Sequence, residues 1–192
     1  NTPKLRVLVY GAGMLGSWVT HALVRMVERV ELWDGGDLVE VGNIGNQAYD
    51  ESDVALADDD FDGCKGLTLE RHLIGLPLVT VQLMFPPPLS YKPPQAHVVV
   101  ACADTMAARR AGALWCQQAD VPLFIDTRAS GLDATIVTVV RGEYDTYLRD
   151  LPSDDQLQGI PCGATGTAFV GMFVASRVAS LIDTWVDHAP DA

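Results

Sequence analysis

Apolar and polar positions follow two periods along this chain, and their order predicts strands that alternate with helices. The run Leu5–Tyr10 is rich in valine and leucine and stops at Gly11, which is typical of a buried strand. The next stretch places Leu15, Val19 and Leu23 on one face at a 3.6-residue period, which predicts an amphipathic helix. Repeated alternation of this kind favours a parallel sheet with helices on both faces.

The same patterns predict the remaining elements. Predicted strands cover residues 5–10, 30–33, 78–84, 96–102, 123–126 and 133–140. Predicted helices cover residues 15–27, 65–73, 104–119 and 168–186. Residues 35–64 and 141–161 are polar and acidic and are expected to be irregular loops. The sequence therefore predicts one α/β domain over residues 1–192. Its sheet is Rossmann-like and doubly wound, mostly parallel, with an added antiparallel strand at 133–140.

Composition narrows the functional classes. The chain has 192 residues, is 48% hydrophobic and carries a formal net charge of -12, so it suits a folded domain and disfavours nucleic-acid binding. The apolar stretch 164–182 is interrupted by Arg177, so we expect a buried helix and no membrane span. None of the four cysteines forms a CxxC pair, and no signal-like start is seen. A reduced, cytoplasmic protein is the expectation.

A glycine-rich loop follows the first predicted strand and opens the first helix. It comprises Gly11, Ala12, Gly13, Met14, Leu15 and Gly16. Glycines in this context let the backbone approach a pyrophosphate, whose charge the helix N-terminus stabilises. Asp34 ends the second strand, where a carboxylate accepts hydrogen bonds from ribose hydroxyls and disfavours a 2′-phosphate. The loop and Asp34 predict an adenine-nucleotide site and do not separate ATP from NAD.

The residues after Asp34 carry a more specific pattern. A second aspartate, Asp37, is followed by Asn43, Ile44 and Gln47. This order resembles the signature of the ThiF/MoeB/HesA family, the ubiquitin-activating-enzyme-like adenylyltransferases: a strand-end Asp, a second Asp, then Asn-Leu-x-Arg-Gln. One extra residue separates the two aspartates here.

Three later segments extend the resemblance over most of the chain. Asp104 and Arg109 are similar to the family's Asp-Asn-x-x-x-Arg after a buried strand. Lys65, which follows Gly63 and Cys64, is similar to its lysine at the start of a helix. Cys162, ahead of the last apolar helix, is similar to the cysteine of its crossover region.

The resemblance implies an enzyme that uses ATP and Mg²⁺ to adenylylate the C-terminal carboxylate of a small ubiquitin-like or sulfur-carrier protein, and that forms a homodimer. Asp104 would bind the Mg²⁺, and Lys65 would contact phosphate. Arg109 would support the site or pair with a carboxylate. Cys162 would be a reactive thiol.

The remaining implied roles belong to the nucleotide pocket. Asp34 would hold the ribose, while Asn43 and Gln47 would shape the phosphate pocket; Asp37 and Asn46 would also belong to the nucleotide site. Structural alternatives stay open at this point for four of the residues. Asp104 could be a helix N-cap, Lys65 a surface lysine, Arg109 a structural ion-pair partner and Cys162 an inert thiol.

Asn46 is the main departure from the family pattern, since it stands where the family has arginine. Asparagine supplies neither the charge nor the planar fork of a guanidinium, so a transition-state contact worth about 3 kcal/mol is at stake. Arg71 or a residue of a second subunit is a candidate to replace it. Two other functions therefore stay open: a catalytically impaired nucleotide-binding protein and an NAD-dependent oxidoreductase.

Overall fold

The computed structural model of the chain describes residues 4–55, 63–82, 96–153 and 168–188. The strands are β1 (Arg6–Tyr10), β2 (Arg29–Asp34), β3 (Leu78–Gln82), β4 (Val98–Ala101), β5 (Leu123–Ser130) and β6 (Asp133–Val140). The helices are α1 (Met14–Leu23), α2 (Glu51–Ala55), α3 (Lys65–His72), α4 (Met106–Gln118), α5 (Tyr144–Asp150) and α6 (Ala168–His188), with a 3₁₀ turn at Val41–Asn43.

The six strands form one sheet in the order β3-β2-β1-β4-β5-β6. Strands β1 to β5 run parallel, and β6 pairs antiparallel with β5. The predicted Rossmann-like α/β fold is therefore confirmed. The strand order reverses between β1 and β4, and ligands of doubly wound sheets bind in the crevice beyond the carboxyl ends of such strands. The single-domain assignment for residues 1–192 stays a prediction.

Each strand of the sheet centre is apolar on both faces, which separates the helices into two layers. In β1, Val7 and Val9 face the layer that holds α1, α3 and α6. Leu8 and Tyr10 face the opposite layer, which holds α4 and α5. The burial of both faces explains why these strands are continuous apolar runs in the sequence.

Two predicted loops contain helices in the structure. The prediction of a loop over 141–161 is wrong at α5, where Tyr144 and Tyr147 lie one turn apart and pack on Phe124. The acidic residues around the two tyrosines hide this short apolar face. Helix α2 and the 3₁₀ turn likewise lie within the predicted loop 35–64. The other parts of these loops, 56–62 and 154–161, lie outside the described residues.

Two predicted boundaries are also corrected. Strand β5 continues past Asp126 to Ser130, because its last residues pair with the start of β6 in a hairpin. Helix α4 begins at Met106 rather than at Asp104.

Among the described residues, α6 is the one helix that is long and apolar enough to cross a membrane. In its most apolar stretch, 39% is buried inside the protein. It packs along α1: a Cβ added to Gly171 would lie 2.3 Å from Cδ1 of Trp18. Its buried face includes Val174, Val178 and Ile182. This packing accounts for part of its apolar composition, whereas Phe169, Met172 and Phe173 on the same helix are exposed.

Candidate functional site

The glycine loop joins β1 to α1 at the point where the strand order reverses. Gly11 has a φ of +90°, and a Cβ there would lie 2.8 Å from the carbonyl oxygen of Cys102. A Cβ on Gly16 would lie 1.7 Å from the carbonyl oxygen of Gly11. By contrast, a Cβ on Gly13 would meet nothing within 4 Å. Two glycines are therefore required by backbone packing, and the third borders open space.

Asp34 lies against this loop and is buried. Its Oδ1 accepts the Ala12 N–H at 2.9 Å, and its Oδ2 accepts the Gly36 N–H at 3.3 Å. Burial raises the pKa of the Asp34 carboxyl, while the two backbone N–H groups oppose the rise. The side chain therefore holds the loop in place; its predicted contact with ribose stays a prediction.

Lys65 and Asp37 come close to Asp34 through a short antiparallel bridge. Leu38 pairs with Cys64, and the N–H of Lys65 donates to the carbonyl oxygen of Asp37 at 2.8 Å. The charges of Asp37 and Lys65 act on the Asp34 carboxyl in opposite senses, since Asp37 raises its pKa and Lys65 lowers it. The structure thus brings Lys65 next to Asp34 and Asp37, which lie about 30 residues earlier in the sequence.

Tyr49 is a site residue that the sequence reasoning missed. Its hydroxyl donates to the carbonyl oxygen of Ala12 at 2.6 Å and lies 3.3 Å from the carbonyl oxygen of Lys65. The residue is 6% exposed. It lies in a stretch predicted to be irregular, and no motif position marked it.

The segment 43–48 is fixed against α1. Asn43 uses its Oδ1 to accept the Glu40 N–H at 2.9 Å, and its carbonyl oxygen accepts the Gln47 N–H at 3.0 Å. The indole N–H of Trp18 donates to the carbonyl oxygen of Asn46 at 3.1 Å. Among the described residues, the buried Oδ1 of Asn46 and Oε1 of Gln47 have no hydrogen-bond partner.

Arg71, the candidate substitute for the missing arginine, lies at the far end of α3. It is in the last turn of the helix, whereas Lys65 is in the first. Six residues of helix separate the two, or about 9 Å along the axis. Its Nη2 donates to Oγ1 of Thr68 at 3.0 Å.

Asp104 lies at the carboxyl end of β4 and is exposed. The N-cap of α4 is its neighbour Thr105, whose hydroxyl accepts the Ala108 N–H at 3.1 Å. Within the described ranges, the Asp104 carboxylate accepts no hydrogen bond. The capping role that competed with a metal role therefore belongs to Thr105, and the Mg²⁺ assignment of Asp104 stays a prediction.

Arg109 lies in a buried cluster around Asp126, where the pairing of β4 with β5 ends. Its guanidinium contacts the Asp126 carboxylate and the carbonyl oxygen of Ala103, and it donates to the carbonyl oxygen of Thr127 at 2.6 Å. Arg109 is 4% exposed and Asp126 is 0% exposed. The arginine therefore forms the structural ion pair that the sequence left open as an alternative, and its role in the site stays a prediction.

The same carboxylate has two further partners, neither of which the sequence indicated. Arg128 contacts the Oδ2 of Asp126 at 2.6 Å, and the Tyr147 hydroxyl donates to it at 2.9 Å. Burial and the nearby carboxylate raise the pKa of Tyr147. Arg128 and Tyr147 also line a cavity of about 390 Å³ between β6 and α5.

Two of the described cysteines have thiols that ionise less readily than usual. Burial raises the pKa of the Cys102 thiol to about 11, and it raises that of Cys116 as well. Cys64 is also buried, and its Sγ donates to the carbonyl oxygen of Gly36 at 3.3 Å. Cys162, the predicted reactive thiol, lies outside the described residues.

Comparisons with known proteins place this arrangement in a known fold. No protein-family model and no curated protein sequence matches the chain. The microcin C7 biosynthetic enzyme MccB in complex with N-formylated MccA superposes with a TM-score of 0.72 at 19% identity, covering 96% of this chain and 58% of that one. E. coli MccB with ATP gives a TM-score of 0.71 at 19% identity, covering 96% and 56%.

The structure of PaaA gives a TM-score of 0.64 at 16% identity, covering 94% of this chain and 55% of that one. At 16% to 19% identity, these neighbours show that the chain shares the fold of MccB and PaaA. The chain spans little more than half the length of these neighbours.

Proposed function

We propose that this protein uses ATP to adenylylate a carboxylate of a peptide or small protein. The observation that carries the proposal is the assembly of the glycine loop, Asp34, Asp37 and Lys65 at the carboxyl edge of the sheet. The fold shared with MccB, which was crystallised with ATP and with MccA, supports it.

In the proposed reaction, an oxygen of the substrate carboxylate attacks the α-phosphorus of ATP. A bond forms between the α-phosphorus and that oxygen. The bond between the α-phosphorus and the oxygen that bridges it to the β-phosphorus breaks, and pyrophosphate leaves with that oxygen. The loop N–H groups and the Lys65 ammonium would hold the phosphates, with Asp34 and Asp37 on the ribose side and Asn43, Asn46 and Gln47 shaping the phosphate side. Arg109 would act as a positioning residue, since it ties together the strand ends beside Asp104.

Asp104 fits a Mg²⁺ ion because its exposed carboxylate offers oxygen ligands at the strand end that faces the crevice. A Mg²⁺ ion bound there would neutralise charge on the triphosphate and the departing pyrophosphate. We assign no other described residue to it.

ATP–pyrophosphate exchange tests the proposal. With Mg²⁺ and a peptide that ends in a free carboxylate, we expect exchange; the same peptide with a C-terminal amide should give none. Lys65→Met should lower the rate about 100-fold. The control Lys4→Met changes an exposed lysine before β1 and should leave the rate unchanged. If no carboxylate substrate supports exchange and ATP does not raise the melting temperature, the proposal is wrong.

More specifically, we propose that the substrate is a small ubiquitin-like or sulfur-carrier protein, activated at its C-terminus. A homodimer is part of this proposal, since Phe169, Met172 and Phe173 on α6 are exposed by 71%, 48% and 54%. The described cysteines form no disulfide with one another, which suits a reducing compartment such as the cytoplasm. ATP–pyrophosphate exchange that occurs with a carrier protein and with no short peptide would support a carrier as the substrate. Sedimentation would give the oligomeric state.

Cys162 is proposed as the reactive thiol of the chain. Because Cys64 and Cys116 are buried and burial of the Cys102 thiol raises its pKa to about 11, brief alkylation at pH 7 should modify one site. Intact mass should show a single adduct in the wild type and none in Cys162→Ser. An adduct that survives this substitution would remove Cys162 from the site.

A catalytically impaired nucleotide-binding protein is the second candidate, and Asn46 favours it. Arginine at this position would restore the missing charge beside the phosphates. An increase in exchange by Asn46→Arg would show that the scaffold is competent and limited by this one residue. Wild-type exchange as fast as that of the variant would argue against impairment.

A further inference from the structure

The peptide group of Ala12 is bound on both sides by buried side chains. Its N–H donates to Oδ1 of Asp34 at 2.9 Å, and its carbonyl oxygen accepts the Tyr49 hydroxyl at 2.6 Å. Asp34 is 8% exposed and Tyr49 is 6% exposed. Since Ala12 lies between Gly11 and Gly13, the middle of the glycine loop is fixed by these two residues.

Tyr49 also contacts the helix that carries Lys65. Its hydroxyl oxygen lies 3.3 Å from the Lys65 carbonyl oxygen, in the first turn of α3. A phenol has one proton to donate, and here it is shared: the Ala12 carbonyl oxygen is the nearer acceptor, and the Lys65 carbonyl oxygen accepts the longer branch of a three-centre hydrogen bond. This shared hydrogen bond keeps the start of α3 next to the loop.

The backbone around Tyr49 is itself held in place. The Ala48 N–H donates to Oγ of Ser17 at 3.1 Å, and the Trp18 indole donates to the carbonyl oxygen of Asn46 at 3.1 Å. Both partners belong to α1. Tyr49 therefore reaches from a segment anchored on α1 to the loop and to α3.

We propose that Tyr49 is a positioning residue that sets the spacing between the glycine loop and the first turn of α3. Through it the loop N–H groups and the Lys65 ammonium meet the triphosphate of one ATP molecule. This role rests on the proposed function, because it concerns the same nucleotide site. Tyr49 touches neither substrate nor reacting atoms.

Tyr49→Phe removes the hydroxyl and keeps the buried ring. Tyr144→Phe is the matched control: Tyr144 is 3% exposed, and its hydroxyl donates to a backbone carbonyl, that of Val121, at 3.0 Å. Both variants should lose similar stability. Only Tyr49→Phe should weaken ATP binding, by about tenfold in calorimetry, the effect of one lost hydrogen bond at the upper end of its range.

Hydrogen exchange gives a readout that does not depend on ATP. In the nucleotide-free protein, the amides of residues 12–16 should exchange about tenfold faster in Tyr49→Phe and at the wild-type rate in Tyr144→Phe. Equal exchange in all three proteins would overturn the positioning role. If wild type binds no ATP while Tyr49→Phe still loosens the loop, the proposed function fails and the structural coupling stands.

A double-mutant cycle tests the coupling to Lys65. When Lys65→Met is combined with Tyr49→Phe, the loss of ATP affinity should be smaller than the product of the two single losses. Strictly multiplicative losses would show that Tyr49 does not act on Lys65. The wild type alone supplies a second check, since ATP should slow exchange in residues 12–16 and 65–69 together; protection of one segment without the other would contradict the proposal.

Discussion

Two polar clusters lie at the carboxyl ends of the parallel strands, and they differ in how completely their groups are paired. In the glycine-loop cluster, which comprises the loop, Asp34, Asp37, Tyr49 and Lys65, the side chains of Asp34 and Tyr49 bind backbone, and the Lys65 ammonium forms no ion pair with another described residue. In the Asp126 cluster, which comprises Arg109, Asp126, Arg128 and Tyr147, the charged groups bind each other. The first cluster suits binding, and the second suits holding strand ends together.

The two clusters also show how the few positive charges are distributed in this acidic protein. The chain carries 13 Lys and Arg against 25 Asp and Glu. Two of these cations, Arg109 and Arg128, face the single carboxylate of Asp126. Asn46 stands at the position where the family pattern has arginine. The positive charge near a bound phosphate would therefore come from Lys65 and from the N–H groups of the loop.

The largest expected effect is in the Asp126 cluster. Asp126→Ala leaves two arginines without their buried carboxylate and should lower the free energy of unfolding by about 3–5 kcal/mol. Asp150→Ala is the control, because its ion pair with Arg149 is exposed and should contribute less than about 0.5 kcal/mol. Urea unfolding measures both. Similar losses for the two variants would break the distinction between the clusters.

The next effect separates two glycines of the loop. Gly16→Ala forces a Cβ onto the Gly11 carbonyl and should cost about 1–3 kcal/mol, whereas Gly13→Ala should be nearly neutral in stability. Thermal unfolding of the two variants is the measurement. A neutral Gly16→Ala would mean that the loop is not packed as described.

A smaller effect concerns the junction of β4 and α4. Thr105→Ala removes the N-cap hydrogen bond and should cost about 1 kcal/mol. Asp104→Ala should leave stability within about 0.5 kcal/mol of the wild type, because its carboxylate is exposed. If Asp104→Ala is the more costly variant in urea unfolding, the carboxylate is structural and its assignment to Mg²⁺ loses support.

The smallest effect is the pH dependence that comes from Asp34. Burial raises the pKa of its carboxyl above 3.8, so the folded state holds the proton more tightly than the unfolded chain does. The stability of wild type relative to Asp34→Asn should be highest below pH 3.8 and fall as the pH rises from there through the folded pKa. Urea unfolding between pH 4 and pH 7 measures this; an opposite slope would contradict the buried position.

The sequence predicted most of the sheet and the glycine loop because both depend on local patterns. Apolar runs marked the strands, and the spacing of Gly11, Gly13 and Gly16 marked the loop. Tyr49 and Tyr147 could not be found in this way, since their partners Ala12 and Asp126 are 37 and 21 residues away along the chain. Such roles depend on tertiary contacts that no short motif encodes.

The proposed function depends on ATP binding by the glycine-loop cluster. Calorimetric titration of wild type and Gly16→Ala with ATP and Mg²⁺, and of wild type with NADH, tests it most directly. We expect wild type to bind ATP, Gly16→Ala to lose that binding, and NADH to bind more weakly than ATP. Tighter binding of NADH, or equal ATP affinity in the two proteins, would contradict the claim.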